Sequence, residues 1–308
     1  MSEEHDYDLV VVGGGPAGSS AAFAAAKNGI KVALIEKENS IAETVRTSGV
    51  TWIESIKEFG IPENCYNPIK NFSFASPNNE VTISDSISTA AVLDVRKTYR
   101  WLSNEAKKKG VDIFVKTNIN EVIKNEKNDI VGVSGTGIHG KIAFHSKVVI
   151  DATGFTSTIA KAMGFVTQWE RFGAGAEYEA EVEKVDSETW WLMVGQEYTP
   201  AGYAWIFPLG NNIVRIGVGV GKPESDVDPT ERLKEIIKKK YDNLATEFTI
   251  SKNSLLHDDL AWSDLVVGIN SFALVVALFA KIPTMSISPP GSNEYMLPQE
   301  DIIHLRDL

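Results

Sequence analysis

The sequence predicts an α/β protein: a parallel, helix-flanked sheet into which a second, mainly antiparallel sheet is inserted. Three observations predict it. The apolar run Asp8-Leu9-Val10-Val11-Val12 is broken by Gly13-Gly14-Gly15-Pro16-Ala17-Gly18, followed by an Ala-rich helical stretch, Ser19 to Asn28, and a second run, Lys31 to Glu36. That is one βαβ unit with a right-handed crossover. A further buried strand, Lys147 to Asp151, ends at Ala152-Thr153-Gly154. From about residue 168 the chain alternates apolar and polar residues over short segments, the signature of antiparallel pairing.

Composition bounds what this fold can do. The 308 residues carry 30 Lys+Arg against 41 Asp+Glu, a net charge of −11, which gives no phosphate-neutralising surface for nucleic acid. A hydrophobic fraction of 43% is enough for a sizeable core. The one cysteine, Cys65, excludes an internal disulfide and a Cys-rich metal site, and fits a reducing cytoplasm. The acidic N-terminus lacks the apolar region of a secretory signal. The longest apolar run, Phe272 to Ala280, is about half a membrane span.

In chain order, Gly29 stops the first helix, and residues 38 to 60 read as a loop and a short helix from Trp52 to Phe59. Asn71 to Ser84 suggests two exposed strands, Val95 to Lys109 a helix stopped by Gly110, and Val111 to Val115 and Ile119 to Ile123 short strands. Asp129 to Ile142 reads as a hairpin and Ser157 to Met163 as a helix. Strands are expected over Ala174–Val185, Thr189–Gln196, Tyr203–Phe207 and Ile213–Val220, then an amphipathic helix over Pro229–Tyr241. Residues 1–70 and 90–165, with 251–268 returning, are expected to form one domain; 71–89 and 166–250 form the inserted one, and 269–308 an atypical tail.

The chemistry begins at Gly13-x-Gly15-x-x-Gly18, between a strand and a helix. The first glycine permits the tight turn, the second lets a pyrophosphate approach the backbone, and the third lets helix and strand pack closely. The helix N-terminus presents free N–H groups and partial positive charge to the phosphates, so the acidity of the whole chain is no obstacle. Glu36, eighteen residues beyond Gly18, is placed to accept ribose hydroxyls and would repel a 2′-phosphate. The first domain is therefore Rossmann-like. A second literal match, Gly135-x-Gly137-x-x-Gly140, leads into an alternating strand rather than a helix, and reads as a glycine-rich hairpin turn.

Gly-x-Gly-Pro-Ala-Gly with Glu36, Val92-Leu93-Asp94-Val95-Arg96 opening a helix, and Val149-Ile150-Asp151-Ala152-Thr153-Gly154 together resemble the FAD-dependent group that includes aromatic-ring hydroxylases and geranylgeranyl reductases. Thr153-Gly154 stands where hydroxylases carry Asp-Gly, as is common among the reductases. Tyr203-Ala204-Trp205-Ile206-Phe207-Pro208 is similar to the Tyr-x-Trp-x-Phe-Pro stretch of geranylgeranyl reductases, and a glycine-rich strand, Ile216 to Gly221, follows it. The resemblance implies FAD held by Gly13, Gly15, Pro16, Ala17, Gly18, Glu36, Lys37, Arg46, Ser48, Gly49, Arg96, Thr153 and Gly154. It implies a substrate wall of Tyr203, Trp205, Phe207 and Pro208. Alternation puts the three aromatic residues on one strand face, which suits a flat ring, a polyprenyl chain or an ordinary core.

The activity implied is reduction of C=C bonds of a polyprenyl lipid by hydride transfer from reduced flavin, with NAD(P)H or a redox protein as external electron donor. A flavin monooxygenase or halogenase is the alternative, as is an inactive FAD-binding remnant. No residue is assigned as catalytic and none as a metal ligand. Glu177, Glu179, Glu181 and Glu183 alternate as a solvated strand face, and Lys238-Lys239-Lys240 as a solvated run whose functional option is peripheral contact with anionic lipid. The expected location is the cytoplasm, peripheral at the membrane. The family's cysteine is missing from the loop Arg46-Thr47-Ser48-Gly49. After Leu265-Val266-Val267-Gly268 the family pattern stops, and a truncation or frameshift near Gly268 is the expectation.

Overall fold

The computed structural model describes residues 3–165, 169–182, 184–241, 266–268, 284–286 and 303–304. The chain divides into two compact units, Met1–Tyr241 and Asp242–Leu308.

The first unit opens with β1 (Glu3–Val12), α1 (Pro16–Lys27) and β2 (Val32–Ile35). The strand ends Leu9–Val12 and all of β2 are buried, as expected where both faces of a parallel sheet are covered. Next come β3 (Val50–Trp52), α2 (Ile53–Phe59), β4 (Tyr66–Ile69), β5 (Asn71–Ala75), β6 (Glu80–Ser84) and β7 (Ala90–Leu93). The 14-residue α3 (Val95–Lys108) starts at Asp94, whose side chain caps the Lys97 N–H. After it run β8 (Asp112–Phe114), β9 (Asn118–Lys124), β10 (Ile130–Gly137), β11 (Gly140–Asp151) and α4 (Thr158–Ala162). The inserted part holds β12 (Phe172–Glu181), β13 (Thr189–Val194), β14 (Gly202–Gly210), β15 (Ile213–Lys222) and α5 (Pro229–Tyr241).

The first sheet has the order β8-β2-β1-β11-β10-β9. Its first four strands are parallel, and β10 and β9 add antiparallel neighbours beside β11. On one face, Leu9, Val11, Val32 and Leu34 pack on Ala22 and Ala26 of α1 and Ala106 of α3. On the other, Val10, Val12, Ala33 and Ile35 close on Val133, Phe144 and Ile159. The second glycine pattern is a hairpin turn: Gly137 pairs with Gly140 across Ile138-His139, with no helix after it.

The second sheet has the order β12-β15-β14-β13-β5-β6, antiparallel except for the parallel pair β13–β5. Its back face is covered by α5, where Leu233 is fully buried against Met193, Ala204 and Val218. The sequence did not suggest the small sheet β3-β7-β4, which covers one end of the front face through Ile69, Ala90 and Val92. Its strands are three and four residues long, too short for a period to register. In the second unit, β16 (Val266–Gly268), β17 (Thr284–Ser286) and β18 (Ile303–His304) pair in parallel. The rest of the expected return over 251–268, and most of the expected tail, lie outside the described residues.

Candidate functional site

The elbow between β1 and α1 is built by close approach. A Cβ on Gly13 would lie 2.2 Å from the carbonyl oxygen of Ala152, and one on Gly18 would lie 1.9 Å from that of Gly13. Gly13 also has φ +113, a conformation that L side chains rarely adopt. Gly15 differs: it is extended, it is the N-cap of α1, and a Cβ there would meet nothing within 4 Å. Pro16 occupies the first helical position, and no side chain caps the helix. No side chain therefore takes up the N–H groups of the first turn. Ala17 is exposed beside them.

Glu36 leaves the end of β2 and turns back to the elbow. One of its oxygens accepts the Gly14 N–H at 2.9 Å and the other the Glu38 N–H at 2.9 Å. A carboxylate oxygen can accept more than one hydrogen bond, so the group is oriented and still able to take a hydroxyl donor. These residues fit a dinucleotide diphosphate and its ribose: an uncapped helix head, free space before Gly15 and a fixed carboxylate beside it.

The other expected cofactor contacts are spread more widely. Lys37 is exposed. Arg46 pairs with Glu38. Burial opposes ionisation of Glu38, but the Thr44 N–H and the Arg46 guanidinium outweigh it and hold the carboxyl below its usual range. Thr153 donates its hydroxyl to Asp151 at 2.6 Å and accepts the Thr158 N–H at 2.8 Å, so it organises the turn into α4. Gly154 is exposed at φ +66. Asp151 also accepts the Thr153 and Ala160 N–H groups; these bonds overcome partial burial and depress its pKa. Arg96 points to the second sheet, 3.6 Å from Glu179, and lines a cavity of 570 Å³ with Asn64, Asp94 and Arg100 that includes none of the elbow glycines.

The front face of the second sheet gathers the aromatic residues. Cross-strand pairing places Ile83 and Val81, Phe72 and Phe74, Trp190, Leu192 and Val194, then Tyr203, Trp205 and Phe207, on one side. Trp205 and Phe207 stack at 6.0 Å, and Tyr203 lies 5.7 Å from Trp205. The glycine-rich strand supplies the floor, since Trp205 lies across Gly217, Gly219 and Gly175. Trp205 and Phe207 are buried in this cluster, whereas Tyr203 is 47% exposed. Pro208 falls on the opposite face, buried, and its carbonyl accepts from Asn67. Beyond the part covered by β3-β7-β4, the face exposes Phe74, Val81, Ile83, Val194 and Tyr203, an apolar strip continuous with the aromatic row.

The row of glutamates on β12 is a solvated face only in part: Glu179 and Glu181 are exposed, whereas Glu177 is largely buried. Glu177 and Glu179 flank Arg215 of β15, which is 1% exposed. Antiparallel pairing puts Glu179 opposite Arg215, and burial pushes the Glu177 carboxyl up, with Arg215 pulling it partly back. Glu181 is exposed, and Glu183 lies outside the described residues. Sequence reasoning missed Arg215; the signal was a lone charge in the apolar run Ile213-Val214-Arg215-Ile216. Among the described residues, the buried side-chain polar atoms without a hydrogen-bond partner are Glu177 Oε2, Trp190 Nε1, Trp205 Nε1 and Arg215 Nε. All four residues sit on this face.

The chain is similar to known reductases over most of this framework. It is 36% identical over 245 residues to a digeranylgeranylglycerophospholipid reductase of Methanocaldococcus jannaschii, covering 77% of this chain and 61% of the relative. It is 31% identical over 246 residues to digeranylgeranylglycerophospholipid reductase 1 of Methanococcoides burtonii, covering 77% and 60%. The chain thus spans about three fifths of the length of these relatives. A solved geranylgeranyl bacteriochlorophyll reductase-like protein from Thermoplasma acidophilum superposes with a TM-score of 0.70 at 26% identity, over 77% of this chain and 62% of that one. A myxobacterial chondrochloren halogenase, at 19% identity and a TM-score of 0.59 over 80% and 62%, shares the fold. A family profile described as FAD dependent oxidoreductase matches residues 8–260. That match spans the elbow, Glu36 and nearly all of the three sheets of the first unit, and the chain belongs to the FAD-dependent oxidoreductases.

Proposed function

We propose that this chain is the cofactor- and substrate-facing part of a reductase that saturates C=C bonds in polyprenyl lipid chains. The observation that carries the cofactor side is the open, uncapped head of α1 at Gly15 with Glu36 fixed beside it. In this reading Gly13, Gly15, Pro16, Ala17 and Gly18 hold the diphosphate of FAD and Glu36 a ribose hydroxyl. Lys37, Arg46, Ser48, Gly49, Arg96, Thr153 and Gly154 complete the surroundings. When bound and reduced, FAD supplies a hydride equivalent; the chain supplies position and exclusion of water.

The substrate side rests on the apolar strip from Phe74 to Tyr203, which offers a hydrocarbon chain a largely apolar surface. Tyr203 is the exposed end of that row, Trp205 and Phe207 support it from the core, and Pro208 is buried on the opposite face of the strand. In this reading residues 1–70 and 90–165 form the cofactor domain, and 71–89 with the described residues of 166–241 the substrate domain. The external electron donor is NAD(P)H or a redox protein. We place the enzyme in the cytoplasm in peripheral contact with the membrane that holds its lipid; no described helix is long and apolar enough to cross one.

The test is reconstitution of the purified chain with FAD, followed by anaerobic incubation with a digeranylgeranyl glycerophospholipid and dithionite. The expected result is a near 1:1 flavin content and lipid masses raised in steps of two hydrogens. A chain that retains no flavin, or flavin-loaded protein that leaves the lipid unchanged, refutes the reading.

A further inference from the structure

Among the described residues, Arg215 is the bulkiest of the fully buried side chains. Arginine is almost never buried so completely unless paired, because an uncompensated buried charge is costly. Its partners come from three separate parts of the chain. One terminal nitrogen donates to Glu179 at 2.6 Å, while Nε lies 3.8 Å from Glu177. The other terminal nitrogen donates to the Ser48 carbonyl at 2.6 Å and to the Leu93 carbonyl at 3.4 Å.

The loop is shaped around this guanidinium. Gly49 has φ +78, and a Cβ there would lie 2.9 Å from Arg215 Nη1 and 2.9 Å from the Leu93 carbonyl oxygen. The Gly49 carbonyl accepts the Leu93 N–H at 2.8 Å, which closes the loop on β7. On its own strand, Arg215 stands two residues before Gly217, the floor beneath Trp205. One side chain therefore joins the loop Arg46-Thr47-Ser48-Gly49 to the sheet that carries the aromatic row. A planar fork suits this task, because its separate nitrogens reach a carboxylate on one side and two carbonyls on the other, whereas a lysine carries its donors on a single nitrogen.

We infer that Arg215 is a positioning residue: held by Glu177 and Glu179, it fixes the Ser48-Gly49 loop to the second sheet and so sets the spacing between cofactor and substrate face. The loop's part in holding FAD rests on the function proposed above. The clamp itself does not.

The test uses the full chain with Arg215→Met, Glu177→Gln and Glu179→Gln combined, which removes the guanidinium without stranding a charge, and separately Arg215→Lys. Three readouts are taken: amide hydrogen exchange over residues 46–50 without FAD, FAD affinity by quenching of flavin fluorescence, and the visible circular dichroism of bound flavin. The triple variant is expected to exchange about tenfold faster in the loop, with β1 and α1 still protected, and to bind FAD about tenfold more weakly with an altered flavin signal. Arg215→Lys is expected to fall between it and the parent. Unchanged loop exchange in either folded variant overturns the clamp. So does a uniform loss of protection over both sheets, or a triple variant that does not fold, since Arg215 is then a core residue only. If the parent chain takes up no FAD, the proposed function fails while the exchange measurement still decides the clamp.

Discussion

The indole of Trp205 lies so close over Gly217 that a Cβ on Gly217 would sit 2.3 Å from Trp205 Cζ2 and 2.8 Å from the Ala176 carbonyl oxygen. The glycines of β15 are therefore packing residues, the only side chains small enough to seat an aromatic ring flat on the strand. Gly217→Ala is expected to destabilise the first unit by about 2 kcal/mol through overpacking. Urea unfolding followed by Trp fluorescence measures it, and a loss below about 0.5 kcal/mol contradicts the packing role.

Two glycines of the elbow should separate fold from binding. Gly15→Ala meets nothing and keeps a permitted φ of −68, so stability is expected to stay within about 0.5 kcal/mol of the parent. FAD affinity should nevertheless fall by about tenfold or more, since the methyl group fills the space where the diphosphate approaches. Gly18→Ala is driven into the Gly13 carbonyl oxygen and should lose stability as well as FAD. Fluorescence titration with FAD beside thermal melts distinguishes them.

Tyr203 is exposed and contributes little to the core, so Tyr203→Ser should leave the melting temperature nearly unchanged. If the apolar strip takes the polyprenyl chain, KM for the lipid should rise severalfold while kcat changes less, as for lost uniform binding. A fall in kcat alone would place Tyr203 in the chemical step instead.

Two carboxylates should show opposite pH signatures in stability. Asp151 is depressed, despite partial burial, by its hydrogen bonds from Thr153 and Ala160; its contribution is complete above the ordinary carboxylate range and is lost as pH falls through its lower native value. Asp151→Asn should cost about 1 kcal/mol at neutral pH, a figure reduced for a partly exposed group, and the gap should close in acid. Glu177 is raised by burial, so between the ordinary value and its own the native state binds more protons than the unfolded chain, and stability falls as pH rises through that window. Glu177→Gln should remove that fall. Urea unfolding across an acid-to-neutral pH series reads both signs.

The cofactor elbow was legible in the residues because everything that makes it is local: strand, turn, helix and Glu36 lie within one βαβ unit, and each glycine answers to a neighbour a few positions away or to the adjoining strand. The hairpin at Gly137–Gly140 was legible for the same reason, since a strand rather than a helix follows it. The resemblance placed the aromatic row, and alternation put it on one face. What stayed hidden depends on partners far along the chain. Whether Trp205 faces solvent or core is set by β3-β7-β4, and whether Glu177 is solvated is set by Arg215, whose bond to Ser48 spans 167 positions. Strand register chooses those partners, and a one-residue slip would turn every side chain to the other face; that choice is made only when the sheets assemble.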